Sequence, residues 1–210
     1  MLIIGLLAAA VVLGVTWYAY QKVVDRYTSA APVSVSIEAP SEAQFATANQ
    51  KFEQVRTAVS ARQATTVEFT AADLNALIAR HPSFSKLRDR VRVGMENSVM
   101  QVDASVPLSS VPFPRLSRRW LNATARLGLS FDDDNFSLAL RSATANGLEI
   151  PLEGLPGIDS RLSSSFNEGF RKSQRDDPQA EELWEQIDSM KVIDDKLVVT
   201  TKGGEVALVR

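Results

Sequence analysis

The chain has 210 residues, 45% of them apolar, with 23 Lys and Arg against 25 Asp and Glu, one histidine and no cysteine. That length suits one domain with an appendage, and that apolar share excludes a disordered chain. The near-balanced charge gives no electrostatic case for a nucleic-acid partner, and the missing cysteine excludes disulfides, thiolate catalysis, cysteine-based zinc sites and a lipidated cysteine anchor.

Leu2 to Tyr20 carries no charge. About 20 apolar helical residues cross a hydrocarbon core of roughly 30 Å. Trp17, Tyr18 and Tyr20 gather where amphipathic rings favour the headgroup layer, and Lys22 and Arg26 follow. A cleaved signal peptide would need a basic stretch before the apolar run, and none precedes Leu2. The segment is therefore expected to be an uncleaved single-span anchor. Lys22 and Arg26 taken literally favour a cytoplasmic domain, whereas a very short N-terminus before a long folded region is the usual layout of an exported one.

Residues 30–40 carry two prolines among small residues and read as a linker or short edge strand. Ser41 can cap a helix running to about Gln63. In it Phe45, Ala48, Phe52, Val55 and Val59 form one stripe, either packed on the domain or available to a partner. Residues 66–69 alternate like a strand, and Thr70 and Asp73 have capping-box spacing before a helix with Leu74, Leu77 and Ile78 on one face. His81-Pro82 stops it, and Ser83 starts a brief further turn.

From Val91 the period changes to two. Val91, Val93 and Met95, then Met100, Val102, Ala104 and Val106, predict an antiparallel hairpin around Asn97-Ser98. A proline-punctuated crossing leads to a strand with Leu121, Ala123, Ala125, Leu127, Leu129 and Phe131, and Phe136, Leu138 and Leu140 return along the next. Asn146-Gly147 is a strong hairpin signal. Ile158, Leu162, Phe166 and Phe170 give a helix with one apolar stripe. The charged residues 171–182 are expected to interrupt it, with a short helix from Pro178 through Trp184 and Ile187. Strands around Asp194-Asp195 and Gly203-Gly204 close the chain.

The fold class expected is α+β: an N-terminal transmembrane helix, then a curved antiparallel sheet packed against two or three helices. The expected division is 1–29 anchor and flank, 30–65 linker and amphipathic helix, and 66–210 α+β domain.

Little in the pattern carries reaction chemistry. A catalytic histidine needs an orienting carboxylate and a nucleophile, but Asp73 lies more than two helical turns before His81. The bland role, a basic residue at a helix C-terminus, is preferred. Asp132, Asp133 and Asp134 lack the spaced ligands of a calcium loop and read as a solvated turn. Two Asn-x-Ser/Thr patterns, at Asn122 and Asn135, fall on expected strands and carry no weight. Arg115, Arg118, Arg119 and Arg126 form a loose basic group that suits a charged surface or anionic headgroups. Neither a phosphate-binding glycine loop nor a nucleophile elbow is present. The expectation is a non-enzymatic protein without metal or cofactor.

The stretch "FTAADLNALIAR" resembles the Thr-x-x-(Asp/Glu)-Leu-Asn-x-Leu opening of a group of small, single-span, membrane-anchored bacterial proteins of unassigned function. Val106-Pro107-Leu108, Arg119-Trp120-Leu121-Asn122, and Asn146-Gly147 with Ile150-Pro151 are similar to further marks of that group, in the same order over roughly residues 66–200. The proline-rich run before Arg119 departs from the glycine usual there. More remotely, the layout resembles tubular lipid-binding, BPI-like domains. The resemblance implies an inner-membrane, single-pass protein of the bacterial envelope with its domain on the extracytoplasmic side.

The expected function is binding of a lipid or other apolar ligand. Candidate groove residues are Leu74, Leu77, Ile78, Leu127, Leu129, Leu138, Leu140, Leu162, Phe166 and Phe170, with Arg115, Arg118 and Arg119 for headgroups. The alternative is an interaction module in which Phe45, Phe52, Val55 and Val59 hold a homodimer partner or an envelope protein.

Overall fold

The structure, a computed structural model, describes residues 24–109, 116–132, 134–154, 156–176 and 184–203. The apolar run Leu2–Tyr20 lies outside them, and no helix among the described residues is long and apolar enough to cross a membrane.

Eight strands form one antiparallel sheet: β1 (Thr65–Thr70), β2 (Val91–Glu96), β3 (Val99–Pro107), β4 (Trp120–Asp132), β5 (Asn135–Ala145), β6 (Leu148–Glu149), β7 (Ile187–Ile193) and β8 (Lys196–Thr201). Its longer helices are α1 (Glu42–Ser60), α2 (Ala71–Arg80) and α3 (Ile158–Asp176), with 3-10 turns over Pro82–Leu87 and Leu152–Gly154. The expected antiparallel α+β architecture is present. The strand order is β1-β8-β7-β4-β3-β2, with β5 on the other edge of β4.

Strand β4 organises the sheet. Its first part, residues 120–127, pairs with β3, and its last part, 130–132, pairs with β7 along the same edge. The β2–β3 and β7–β8 hairpins therefore meet tip to tip. Ser98 N–H donates to Asp194 O at 2.7 Å and Asp194 N–H donates to Ser98 Oγ at 2.9 Å. The tight turns place Asn97, Ser98, Asn146 and Asp194 at positive φ, conformations that asparagine and aspartate tolerate better than most residues.

The core lies between the β1–β8–β7 half of the sheet and helices α1 and α2. Val67, Phe69, Leu197, Val199, Val192 and Ile187 meet Ala48, Val55, Val59, Ala76, Leu77 and Ile78 there. Helix α1 thus shares the core of the α+β unit rather than standing apart as an arm. Ser41 and Gln44 close its capping box, and Thr70 with Asp73 closes that of α2.

Residues 32–40 form neither strand nor helix but an irregular strap, the linker of the two readings the sequence left open. Two expectations need correction. Helix α3 continues into the charged stretch as far as Asp176, the last described residue before 184. Ile187 opens β7, pairs with Thr201 and is buried, so it is a strand residue rather than the end of a helix. The expected helix start at Pro178, Gly204 of the last turn and any strand after it lie outside the described residues.

Candidate functional site

The expected groove residues divide into two sets. Leu77 and Ile78 are buried and Leu74 packs against the same core, so the α2 stripe fills it. Leu127 and Leu129 on β4 face Leu140 and Leu138 on β5 as two cross-strand pairs. Leu138 is buried, whereas Leu127, Leu129 and Leu140 are half-buried.

Strand register extends the second set. Leu121 lies opposite Val106, Ala123 opposite Ala104, and Ala125 opposite Val102. Period-two alternation puts all of these on the face that carries Leu127. They are half-buried, except Val106, which is 44% exposed. From Leu121 to Leu127 this strip runs about 20 Å, the length of an extended acyl chain. Its centre is alanine, so it stands low beside the leucines at its end. The alternation made these residues visible in the sequence, but only register shows that they adjoin.

Helix α3 reaches this region from the side. Phe136 N–H donates to Asn167 Oδ1 at 2.8 Å, and Asn167 Nδ2 donates to Phe136 O at 2.9 Å. Ser163 Oγ accepts from Leu138 N–H at 2.9 Å and donates to Leu138 O. Asp159 Oδ1 accepts from Leu140 N–H at 2.8 Å. Two strand residues advance about 6.6 Å and four helical residues about 6 Å, so the side chains at 159, 163 and 167 stay in step with 140, 138 and 136. The helix thereby closes the β5 edge without being a strand.

Its apolar stripe meets an aromatic cluster. Phe170 lies edge-on to Trp184 at 4.9 Å, and both contact Phe131 and Phe136. Leu162 is half-buried. Phe166 touches Phe136 at 4.9 Å yet remains 47% exposed, the most open large side chain of the expected groove.

The opposite sheet face is polar. Asp103 accepts from Thr124 Oγ1 at 2.7 Å and from Arg92 Nη2 at 2.8 Å. Burial alone would raise the Asp103 carboxyl, but the bonds from Thr124, Arg92 and Gln101 outweigh it and hold it below its ordinary value. The strap crosses this face. Between them lies a cavity of about 350 Å³ lined by Val33, Val35, Arg92, Asp103, Asn122 and Thr124.

The remaining expected residues are also located. His81 Nδ1 accepts from Ser83 N–H at 3.2 Å, and its ring packs on Phe52 and Phe84, so it joins two helical turns. Asp73 accepts from Lys51 Nζ at 2.6 Å and from Thr70 N–H at 2.8 Å. Burial pushes its carboxyl up, the bonds from Lys51 and Thr70 push it down, and the net direction is down. Asp132 and Asp134 pair with Lys191 and Lys202 at 3.5 and 3.6 Å. Of the α1 stripe, Val55 and Val59 are buried, Phe52 packs on His81 and Phe84, and Phe45 lies under the Arg80 guanidinium. Arg118 is exposed, Arg119 bonds within the chain to Thr28 and Asp25, and Arg115 lies outside the described residues.

Comparison with protein-family models, curated proteins and solved structures found no match for this chain.

Proposed function

We infer that the protein is a membrane-tethered, non-enzymatic domain that takes the apolar chain of a lipid along the strip from Val106 and Leu121 to Leu127 and Leu140. The supporting observation is that this strip continues the buried core face as half-exposed apolar surface, while the core beside it is already filled by Leu77, Ile78 and Phe131. Each methylene removed from water contributes about 0.8 kcal/mol, and contact with part of an acyl chain gives useful affinity without a deep cavity. The tether reading rests on the uncharged run Leu2–Tyr20. Extracytoplasmic placement at a bacterial inner membrane belongs to the same reading, and Arg118 is exposed for an anionic headgroup.

The test is uptake of a fluorescent fatty acid by residues 24–210, with Leu127→Asp as the variant and circular dichroism as the folding control. A charge in the strip should weaken uptake roughly tenfold or more, because an unpaired carboxylate is costly to bury. Absence of saturable uptake, or equal uptake by a folded variant, would overturn the reading.

A further inference from the structure

Residues 24–31 are bound to the start of β4. Residues 24–27 are helical. Arg119 reaches back 91 residues: its Nε donates to Thr28 Oγ1, its Nη2 donates to Thr28 O at 2.8 Å, and its Nη1 pairs with Asp25 at 3.2 Å. Ser29 and Trp120 exchange both backbone hydrogen bonds at 2.8 Å. Asn122 Nδ2 donates to Ala31 O, and its Oδ1 accepts from Val33 N–H and Ser105 Oγ. Val24, Thr28 and Ser105 are buried. A flexible linker would make none of these bonds.

The sequence gives this joint its significance. Only Gln21, Lys22 and Val23 separate Tyr20, the end of the uncharged run, from Val24. Four Cα steps reach at most about 15 Å, so Val24 stays close to the end of the apolar run. The same end of the sheet carries the Asn146-Gly147 turn, where Asn146 N–H donates to Asn122 O and the Asn146 amide faces Arg26 O. It also carries the exposed Val106 and Leu148, and Arg118.

We propose that Arg119, Trp120 and Asn122 form a rigid joint that holds the Pro107–Trp120–Asn146 end of the sheet against the bilayer surface. The bilayer partner rests on the tether reading above. The joint presents the Val106–Leu121 end of the apolar strip to the lipid headgroups, so that an acyl chain passes from bilayer to strip without crossing water.

The test uses the full chain in phosphatidylcholine–phosphatidylglycerol vesicles containing a headgroup-nitroxide lipid. The chain has no cysteine, so Leu148→Cys and Lys202→Cys each accept a single fluorophore. Lys202 pairs with Asp134 beyond the far end of β4, about 40 Å along the strand from Trp120. Quenching at position 148 should exceed that at 202 several-fold. A twelve-residue Gly/Ser insertion between Tyr20 and Gln21 leaves the joint intact but adds a tether of about 20 Å, and should abolish the difference. Arg119→Ala should reduce it, and the insertion keeps the test valid if that variant does not fold. Equal quenching at both sites, or a difference that survives the insertion, overturns the joint's role. A chain that fails to float with vesicles overturns the tether reading itself, and the proposal with it.

Discussion

Replacing Asn75 by alanine should destabilise the domain by about 2–3 kcal/mol. The Asn75 side chain donates from Nδ2 to Val93 O at 2.7 Å and accepts at Oδ1 from Val93 N–H at 2.9 Å. Val93 sits on β2, which among the described residues pairs only with β3, and one amide thus takes the place of a second strand. Alanine removes both bonds and leaves both backbone groups of a residue only 9% exposed. A net hydrogen bond contributes roughly 1 kcal/mol, and an unsatisfied buried group costs roughly 1–3 kcal/mol. A cavity lined by Asn75, Ala76 and Arg92 borders the position, so water relieves part of that cost and the lower half of the range applies. For a domain of this size the change lowers Tm by roughly 5–10 °C. Thermal and urea unfolding measure it, and hydrogen exchange at the Val93 amide localises it. A Tm within a degree of the parent, with unchanged protection at Val93, would refute the reasoning.

Two further outcomes follow from the same geometry. The double variant Ser163→Ala, Asn167→Ala should strip protection from the amides of Phe136 and Leu138 and make the protein aggregate through the released β5 edge; unchanged exchange there would mean that the helix does not close the edge. Asp73 has a carboxyl held below its ordinary value, so its contribution is present above the unfolded carboxylate range and is lost as pH falls through the folded value. Asp73→Asn should therefore lower stability at neutral pH and flatten the acid limb of the stability curve, and an unchanged acid limb would contradict this.

Local patterns in the sequence announced local structure. Thr70 and Asp73 cap α2, Leu74, Leu77 and Ile78 turn inward, and Asn97-Ser98 and Asn146-Gly147 make the expected turns. Each depends on residues a few positions apart, and so on one-dimensional spacing. What depended on distant partners was hidden. The strap is irregular because Val33 N–H goes to the Asn122 side chain and Val35 N–H to Asp89 O, not to a neighbouring strand. Asp159, Ser163 and Asn167 follow the apolar stripe by one position and look like a solvent face, yet they bind a strand edge. At Arg141 the pairing of β4 with β5 shifts by one residue. The inward series changes there from Leu138 and Leu140 to Ala143 and Ala145, a phase break that the sequence shows but strict alternation misses.

The most direct test of the account is photocrosslinking of the full chain in membranes with a lipid carrying a diazirine on its acyl chain, followed by peptide mass mapping. The account predicts adducts on Val106, Leu121 and Leu127 or their neighbours on β3 and β4, in addition to those in Leu2–Tyr20. Adducts confined to the N-terminal apolar run would contradict it.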